Sequence, residues 1–406
     1  MHSADFSKLL DIDRSPLETG GFNPYYRSLG GLQHGQPWIG RSPFFDLASN
    51  DYLGLSSDRR IHEAMDSAIR EYGSSMCGTP IATGYASIFA QLEAELAQFI
   101  GLPAAVLFPS CYQANVSILS TIAKPGDVIL IDHYAHASLG QGAKAAGCKV
   151  KPFLHNDMGH LETQLAACTG FHRKFIVTES VFSTEGSLAP LRSIVELSRR
   201  YEAVPVVDDS HGLGVIGASG RGILEHDALG DFPGIYTASL GKALANAGGV
   251  VAGDAEFIEA IRYSCPGLIY STALSPASVA GTLAALEIVR SEFSRLGDVM
   301  WKNHQLLMKS LKEQGFCLSE GSAPIAAILA DSTTHTLALA KDFFQKGILA
   351  TPFIPPSVPQ GRGVLRCILG AKLTGLSLED LIESIHHLGP SEAERAAGLS
   401  LEPLPA

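Results

Sequence analysis

Between residues 104 and 252 the chain repeats one unit: a short run of β-branched and apolar residues, then a connection. The runs are AAVLF (104–108), VILID (128–132), KVKPF (149–153), KFIVT (174–178), VPVVD (204–208), GIYTA (234–238) and GGVVA (248–252). Helical patterns fill the first connections. One runs from Tyr112 to Ala123, with Tyr112, Val116, Leu119 and Ala123 recurring on one face. HASLGQGAKAAG, DMGHLETQLAAC and APLRSIVELSRRY follow the next strands. Parallel strands need crossovers, and crossover helices bury both faces of a sheet. The alternation therefore predicts an α/β fold with a mostly parallel seven-stranded sheet. Ligands of such sheets bind beyond the carboxyl ends of the strands, so the residues just after each run are where to look for chemistry.

The pattern changes after about residue 275. A long helical stretch, PASVAGTLAALEIVRSEFSRL, precedes GSAPIAAILA, a helix near HTLALAKDFFQKG, the loop PFIPPSVPQGRG, the run VLRCILG and a helix at SLEDLIESIHHL. The 406 residues exceed one simple core. They divide into an N-terminal arm (1–50), a large domain (51–275), a smaller C-terminal α+β domain (276–390) and a flexible tail (391–406). With 46% hydrophobic and 17% charged residues, the bulk of the chain cannot be disordered. The formal charge of −11 argues against a nucleic-acid or polybasic membrane binder, which needs a positive footprint, and leaves room for local basic sites for small anions. The seven cysteines are scattered, odd in number and without a C-x-x-C pair, so neither a disulfide framework nor a metal site is expected. No signal-peptide core is evident, and no apolar run approaches the ~20 residues of a membrane span. The expected setting is cytoplasmic, with no integral membrane segment.

Three strand ends carry chemistry. Ser110, after AAVLF, suits a helix N-cap, whose free amides can hold a phosphate; a simple cap reads equally well from this residue alone. VPVVD ends in Asp208-Asp209-Ser210-His211-Gly212. A carboxylate at a buried strand end needs a partner. It could ligate a metal with His211, bond to backbone, or sit against a protonated ring nitrogen of a cofactor. Gly212-Leu213-Gly214-Val215-Ile216-Gly217 spells G-x-G-x-x-G, but Gly220 and Gly222 follow, so no helix opens there and the dinucleotide fingerprint lacks its context. GIYTA leads into Ser239-Leu240-Gly241-Lys242-Ala243. Burial drives a lysine's pKa down from ~10.4 and makes it a nucleophile for Schiff-base chemistry. Asp208 and Lys242 lie 34 residues apart, one crossover's length, so both can meet at one site. A lysine Schiff base with an Asp on the pyridine nitrogen is the usual equipment for pyridoxal 5′-phosphate (PLP).

The motifs together resemble the α-oxoamine synthases, fold type I PLP enzymes, from about residue 20 to 388. They are Ser49-Asn50-Asp51-Tyr52-Leu53-Gly54-Leu55, Ser110 to Ala114-Asn115, His136-Ala137-Ser138, His155-Asn156-Asp157, Glu179-Ser180-Val181-Phe182-Ser183, Asp208 to Gly212, Ser239 to Ala243, and Tyr270-Ser271-Thr272-Ala273-Leu274. The resemblance implies that Lys242 carries the cofactor and that Asp208 pairs with its ring nitrogen. His211 would bond the phenolic oxygen, His136 would stack on the ring and Ser183 would lie at its edge. Cys111 and Tyr112 would offer backbone N–H groups to the phosphate, with the Ser239 hydroxyl. Ser271 or Thr272 would reach the phosphate of a neighbouring subunit, implying a homodimer with shared sites. Asn50 and Arg366 would hold an amino-acid carboxylate, a bidentate task that suits arginine. His133, His155, Asp209 and Glu179 would play supporting parts.

The implied reaction is a decarboxylative condensation of an α-amino acid with an acyl-CoA thioester, giving an α-amino ketone. Within the family, Ser49 to Tyr52 is most similar to 8-amino-7-oxononanoate synthases. The Cys111 and Thr184 regions are closer to the autoinducer-precursor synthases and serine palmitoyltransferases. The same fold also houses PLP aminotransferases and lyases. The chain departs from the family pattern at Cys111 (usually glycine), Pro80 (an arginine in several branches), Thr184-Glu185 (Met-Asp), Val364 (often Arg) and Leu373 (often His).

Overall fold

The computed structural model describes residues 22–33, 36–373 and 376–389. The first 21 residues of the arm and the tail 391–406 lie outside the described residues. Seven strands form the central sheet: β1 Ala104–Phe108, β2 Val128–Asp132, β3 Lys149–Phe153, β4 Lys174–Glu179, β5 Ala203–Asp208, β6 Ile235–Ser239 and β7 Gly249–Gly253. Their spatial order is β1-β7-β6-β5-β4-β2-β3. All run parallel except β7, which is antiparallel to both β6 and β1. Strands β2 and β7 are buried at every position, as expected of a sheet covered on both faces.

Helix α1 (Cys111–Ile122) follows β1, and α2 (Ala137–Ala145) follows β2. The buried face of α1 carries Cys111, Ala114, Asn115, Ile118 and Leu119. Tyr112, which opens the sequence-predicted apolar face, is 52% exposed. The helix starts one residue earlier than its apolar spacing suggests. Ser110 caps it, accepting from the Gln113 amide at 3.1 Å.

Helix α3 (Pro276–Glu313) runs well past Leu296, where its sequence pattern breaks at Gly297. The chain stays helical there because Met300, Leu307 and Leu311 go on supplying a buried stripe. A three-stranded antiparallel sheet follows, from β8 (Ala326–Ala330), β9 (Thr351–Phe353) and β10 (Gly363–Cys367), in the order β8-β10-β9. The arm forms a separate two-stranded sheet with this region, Phe45–Asp46 pairing in parallel with Ile348–Leu349. Among the described residues no helix is long and apolar enough to cross a membrane.

Candidate active site

The carboxyl ends of β1, β4, β5 and β6 meet, and the register puts Glu179 beside Asp208 and Asp208 beside Thr237. Asp208 is buried. Asn115 Nδ2 donates to its Oδ2 at 2.6 Å and the Ser210 amide donates to its Oδ1 at 3.0 Å. Cys111 Sγ lies 3.9 Å from both oxygens. Asn115 is fixed in turn, accepting from Thr237 Oγ1 at 2.8 Å and donating to Ser138 Oγ at 2.9 Å. These partners are neutral. A buried carboxylate so held still calls for a positive partner, and the charge it faces is that of Lys242.

Lys242 stands on the hairpin from β6 to β7. Leu240 and Leu244 sink into the core on either side of it. The Leu240 amide donates to Gly248 O at 3.0 Å, and the Ala245 amide to Lys242 O at 2.8 Å. Lys242 is half-buried as a residue, its amine lying deeper than its backbone. Burial lowers its pKa, while the negative charges of Asp208 and Glu179 act the other way. The side chain of residue 249 must be absent: a Cβ there would lie 2.5 Å from the Cys111 nitrogen.

His211 is buried, and its Nδ1 meets the Tyr52 hydroxyl at 2.7 Å. Burial, with the nearby Lys242 and Arg366 charges, holds the imidazole well below its usual pKa. His136 caps α2, its Nδ1 2.7 Å from Ser138 Oγ. His136 is exposed as a residue, yet burial of its imidazole lowers its pKa against the pull of Asp208. Arg366 reaches the site from β10. Its Nη1 donates to Ser183 O at 2.9 Å and its guanidinium lies 4.9 Å from the Phe353 ring centre. Burial lowers its pKa. Arg366 Nε, Asn50 Oδ1 and Glu179 Oε1 are buried without a hydrogen-bond partner. Such orphans are costly unless a ligand completes them.

One neighbourhood thus holds Lys242, Asp208, His211, His136, Cys111 and Arg366. Ser239 Oγ accepts from the Gly241 amide at 3.1 Å, and the Ser239 amide donates to Ser210 Oγ at 2.9 Å. Ser183 contributes its carbonyl to Arg366. Ser271 and Thr272 instead line a cleft of about 490 Å³ with Pro80, Tyr85 and Arg262, a lining that does not include Lys242. Two contacts escaped the sequence reading. Asn115 was discoverable, because it follows Cys111 by one helical turn and so faces the same carboxylate. The Tyr52–His211 pair, 159 residues apart, left no local trace.

The donor set fits PLP. A buried carboxylate with neutral partners suits a pyridinium, a lysine with lowered pKa suits an aldehyde, and a glycine-lined helix start suits a phosphate. Metal ligation by Asp208 and His211 is less suited, because Tyr52 engages His211 Nδ1; among the described residues no group of three or more His, Cys, Asp or Glu could hold an ion.

The pattern of the aminotransferase class I and II family matches residues 42–385. A serine palmitoyltransferase of Sphingobacterium spiritivorum is 34% identical over 369 residues, covering 91% of this chain and 92% of that protein. An 8-amino-7-oxononanoate synthase of Lysinibacillus sphaericus is 34% identical over 346 residues, covering 85% and 89%. A serine palmitoyltransferase solved with its PLP internal aldimine superposes with a TM-score of 0.89 at 25% identity, covering 97% of this chain and 98% of the other. The chain belongs to the aminotransferase class I and II family and, within it, to the PLP-dependent α-oxoamine synthases, decarboxylating acyltransferases of the fold type I architecture.

Proposed function

We propose that this enzyme condenses alanine with a pimeloyl thioester, in the manner of an 8-amino-7-oxononanoate synthase, releasing CO₂ and CoA. The carrying observation is that the charges of Asp208 and Arg366 both act on Lys242 at the strand ends, and that Arg366 Nε, like Asn50 Oδ1, is buried without a hydrogen-bond partner. The likeness of Ser49 to Tyr52 to that branch, and the Lysinibacillus relative, support this choice of substrates.

Bound PLP supplies an electrophilic aldehyde and a protonated ring that draws electrons from the substrate's Cα. The chain's own residues do the rest. Arg366 and Asn50 hold the amino-acid carboxylate, and Arg366 does so with a planar fork. Lys242 Nζ, its basicity lowered by burial, takes the Cα proton and later returns one. Asp208 keeps the ring nitrogen protonated. His211, held neutral, donates toward the phenolic oxygen, and His136 covers the ring face. Cys111, Tyr112 and Ser239 serve the phosphate, with Ser183 at the ring edge.

Two copies share their sites in this reading. Ser271 and Thr272 line a cleft bordered by the exposed Ile81 and Tyr263, and in this reading they serve the partner's phosphate. Seven free cysteines and an acyl-CoA substrate suit the cytoplasm.

A second reading, serine with a long acyl thioester, is favoured by the serine palmitoyltransferase relatives and by the 0.89 TM-score. A panel of amino acids against acyl-CoAs, followed by thiol release, decides between them. Fastest turnover with alanine and pimeloyl-CoA supports the first reading, and faster turnover with serine and palmitoyl-CoA overturns it. A monomeric mass in solution would overturn the shared site.

A further inference from the structure

Residue 111 carries a side chain where the family pattern has glycine. The buried Cys111 sulfur lies 3.9 Å from each Asp208 oxygen, and Ser210 Oγ donates toward it at 3.3 Å. The helix cap fixes the backbone of Cys111, and Asn115, one turn on, holds the same carboxylate. Glycine would leave space beside Asp208 close to the ~30 Å³ share of one water molecule. That water would have a carboxylate and the Ser210 hydroxyl to bond.

We propose that the Cys111 side chain is a positioning residue that replaces water on the flank of Asp208 and thereby tightens the hold of Asp208 on the cofactor's ring N–H. The inference rests on the assignment of Asp208 to the ring nitrogen. A thiol is a weak donor, whereas water and hydroxyl groups are strong ones. A carboxylate flanked by sulfur is therefore less well solvated, and its bond to a charged N–H gains strength in the drier surroundings. The thiol stays protonated, because burial and the Asp208 charge both push its pKa up, so it adds no second negative charge.

The test compares Cys111→Ser, Cys111→Gly and Cys111→Ala with the parent enzyme, each loaded with PLP. Two quantities are read: the PLP dissociation constant and the midpoint of the pH titration of the bound cofactor's visible absorbance. A ring nitrogen that holds its proton less tightly makes the lysine-linked nitrogen more basic, so the midpoint rises. Cys111→Ser and Cys111→Gly are expected to weaken PLP binding about 3–10-fold and to raise the midpoint by about 0.5 unit, the scale of one altered charged hydrogen bond. Cys111→Ala, too small to bond yet leaving less room for water than glycine, is expected to shift less. The other titratable groups near Asp208, namely Lys242, His136, Glu179, Asp209 and Tyr236, are the same in all four proteins. A purely structural role for Cys111 would lower the melting temperature and leave the midpoint alone, and that result overturns the proposal. Asp208→Asn separates the two levels of inference. If it moves the midpoint while the Cys111 variants do not, only the role of Cys111 fails. If it does not move the midpoint either, the assignment of Asp208 fails.

Discussion

The hydroxyl of Tyr52 meets Nδ1 of His211 at 2.7 Å, both side chains being buried. Burial holds the phenol in its protonated form and the imidazole in its neutral one. In the tautomer where the phenol donates to Nδ1, the ring's own proton sits on Nε2. In that tautomer the histidine is presented as a donor from one defined nitrogen. Tyr52→Phe leaves Nδ1 buried and unpaired. The expected loss is about 1–3 kcal/mol of unfolding free energy, together with a changed visible spectrum of bound PLP. Unchanged denaturant midpoint and spectrum would show that the pair does not orient His211.

Lys242 and Asp208 are separable by experiment. Lys242→Ala should abolish covalent attachment of PLP, read as loss of a borohydride-trapped adduct, and should lower kcat by at least about 10²–10⁴-fold. Asp208→Asn preserves shape, so PLP should still bind while exchange of the substrate's Cα hydrogen with solvent slows by a comparable factor. Retention of the trapped adduct in Lys242→Ala, or undiminished exchange in Asp208→Asn, would refute these roles.

Arg366 donates to the Ser183 carbonyl with Nη1 and keeps Nε unpaired. Arg366→Lys loses the fork, and the amino acid's KM should rise about 10–100-fold, equivalent to roughly 1.5–3 kcal/mol, with a smaller effect on acyl-CoA. Equal changes in both KM values would point to a general disturbance of the site.

Asp209 gives a pH signature of the fold. It is buried, and it accepts from the Tyr236 hydroxyl at 2.8 Å, the Ile223 amide at 2.9 Å and the Ser180 hydroxyl. Burial nevertheless pushes its carboxyl up to about 7. The folded pKa exceeds the unfolded one, so the contribution is complete below about pH 4 and fades as pH rises through 7. Between pH 5 and 8 this residue should remove about 2–3 kcal/mol of stability, a loss absent from Asp209→Asn. Urea unfolding at the two pH values measures it, and identical slopes for both proteins would contradict it.

Six of the seven strands were legible as short, mainly apolar runs, and the edge strand KVKPF by its place in the alternation with helices. Their directions were less so. An apolar run has the same composition whichever way it points, and only the hairpin at Leu240–Gly248 turns β7 against its neighbours. Length was misleading at Gly297, where tertiary packing outweighed a local helix-stop signal. In the site, Asp208 and Lys242 were legible as charged residues at strand ends. The placement of Arg366 against Ser183 was not, because a contact across 183 residues depends on how two sheets meet.

The anchoring of Leu240 and Leu244 makes the loop between them a short mooring for one amine. Were that amine joined to the cofactor and then released, it would swing through no more than the length of its own side chain. On the role proposed for Lys242, the released amine would thus stay at hand to carry a proton and afterwards to reclaim its place, so that one residue would open and close each catalytic cycle.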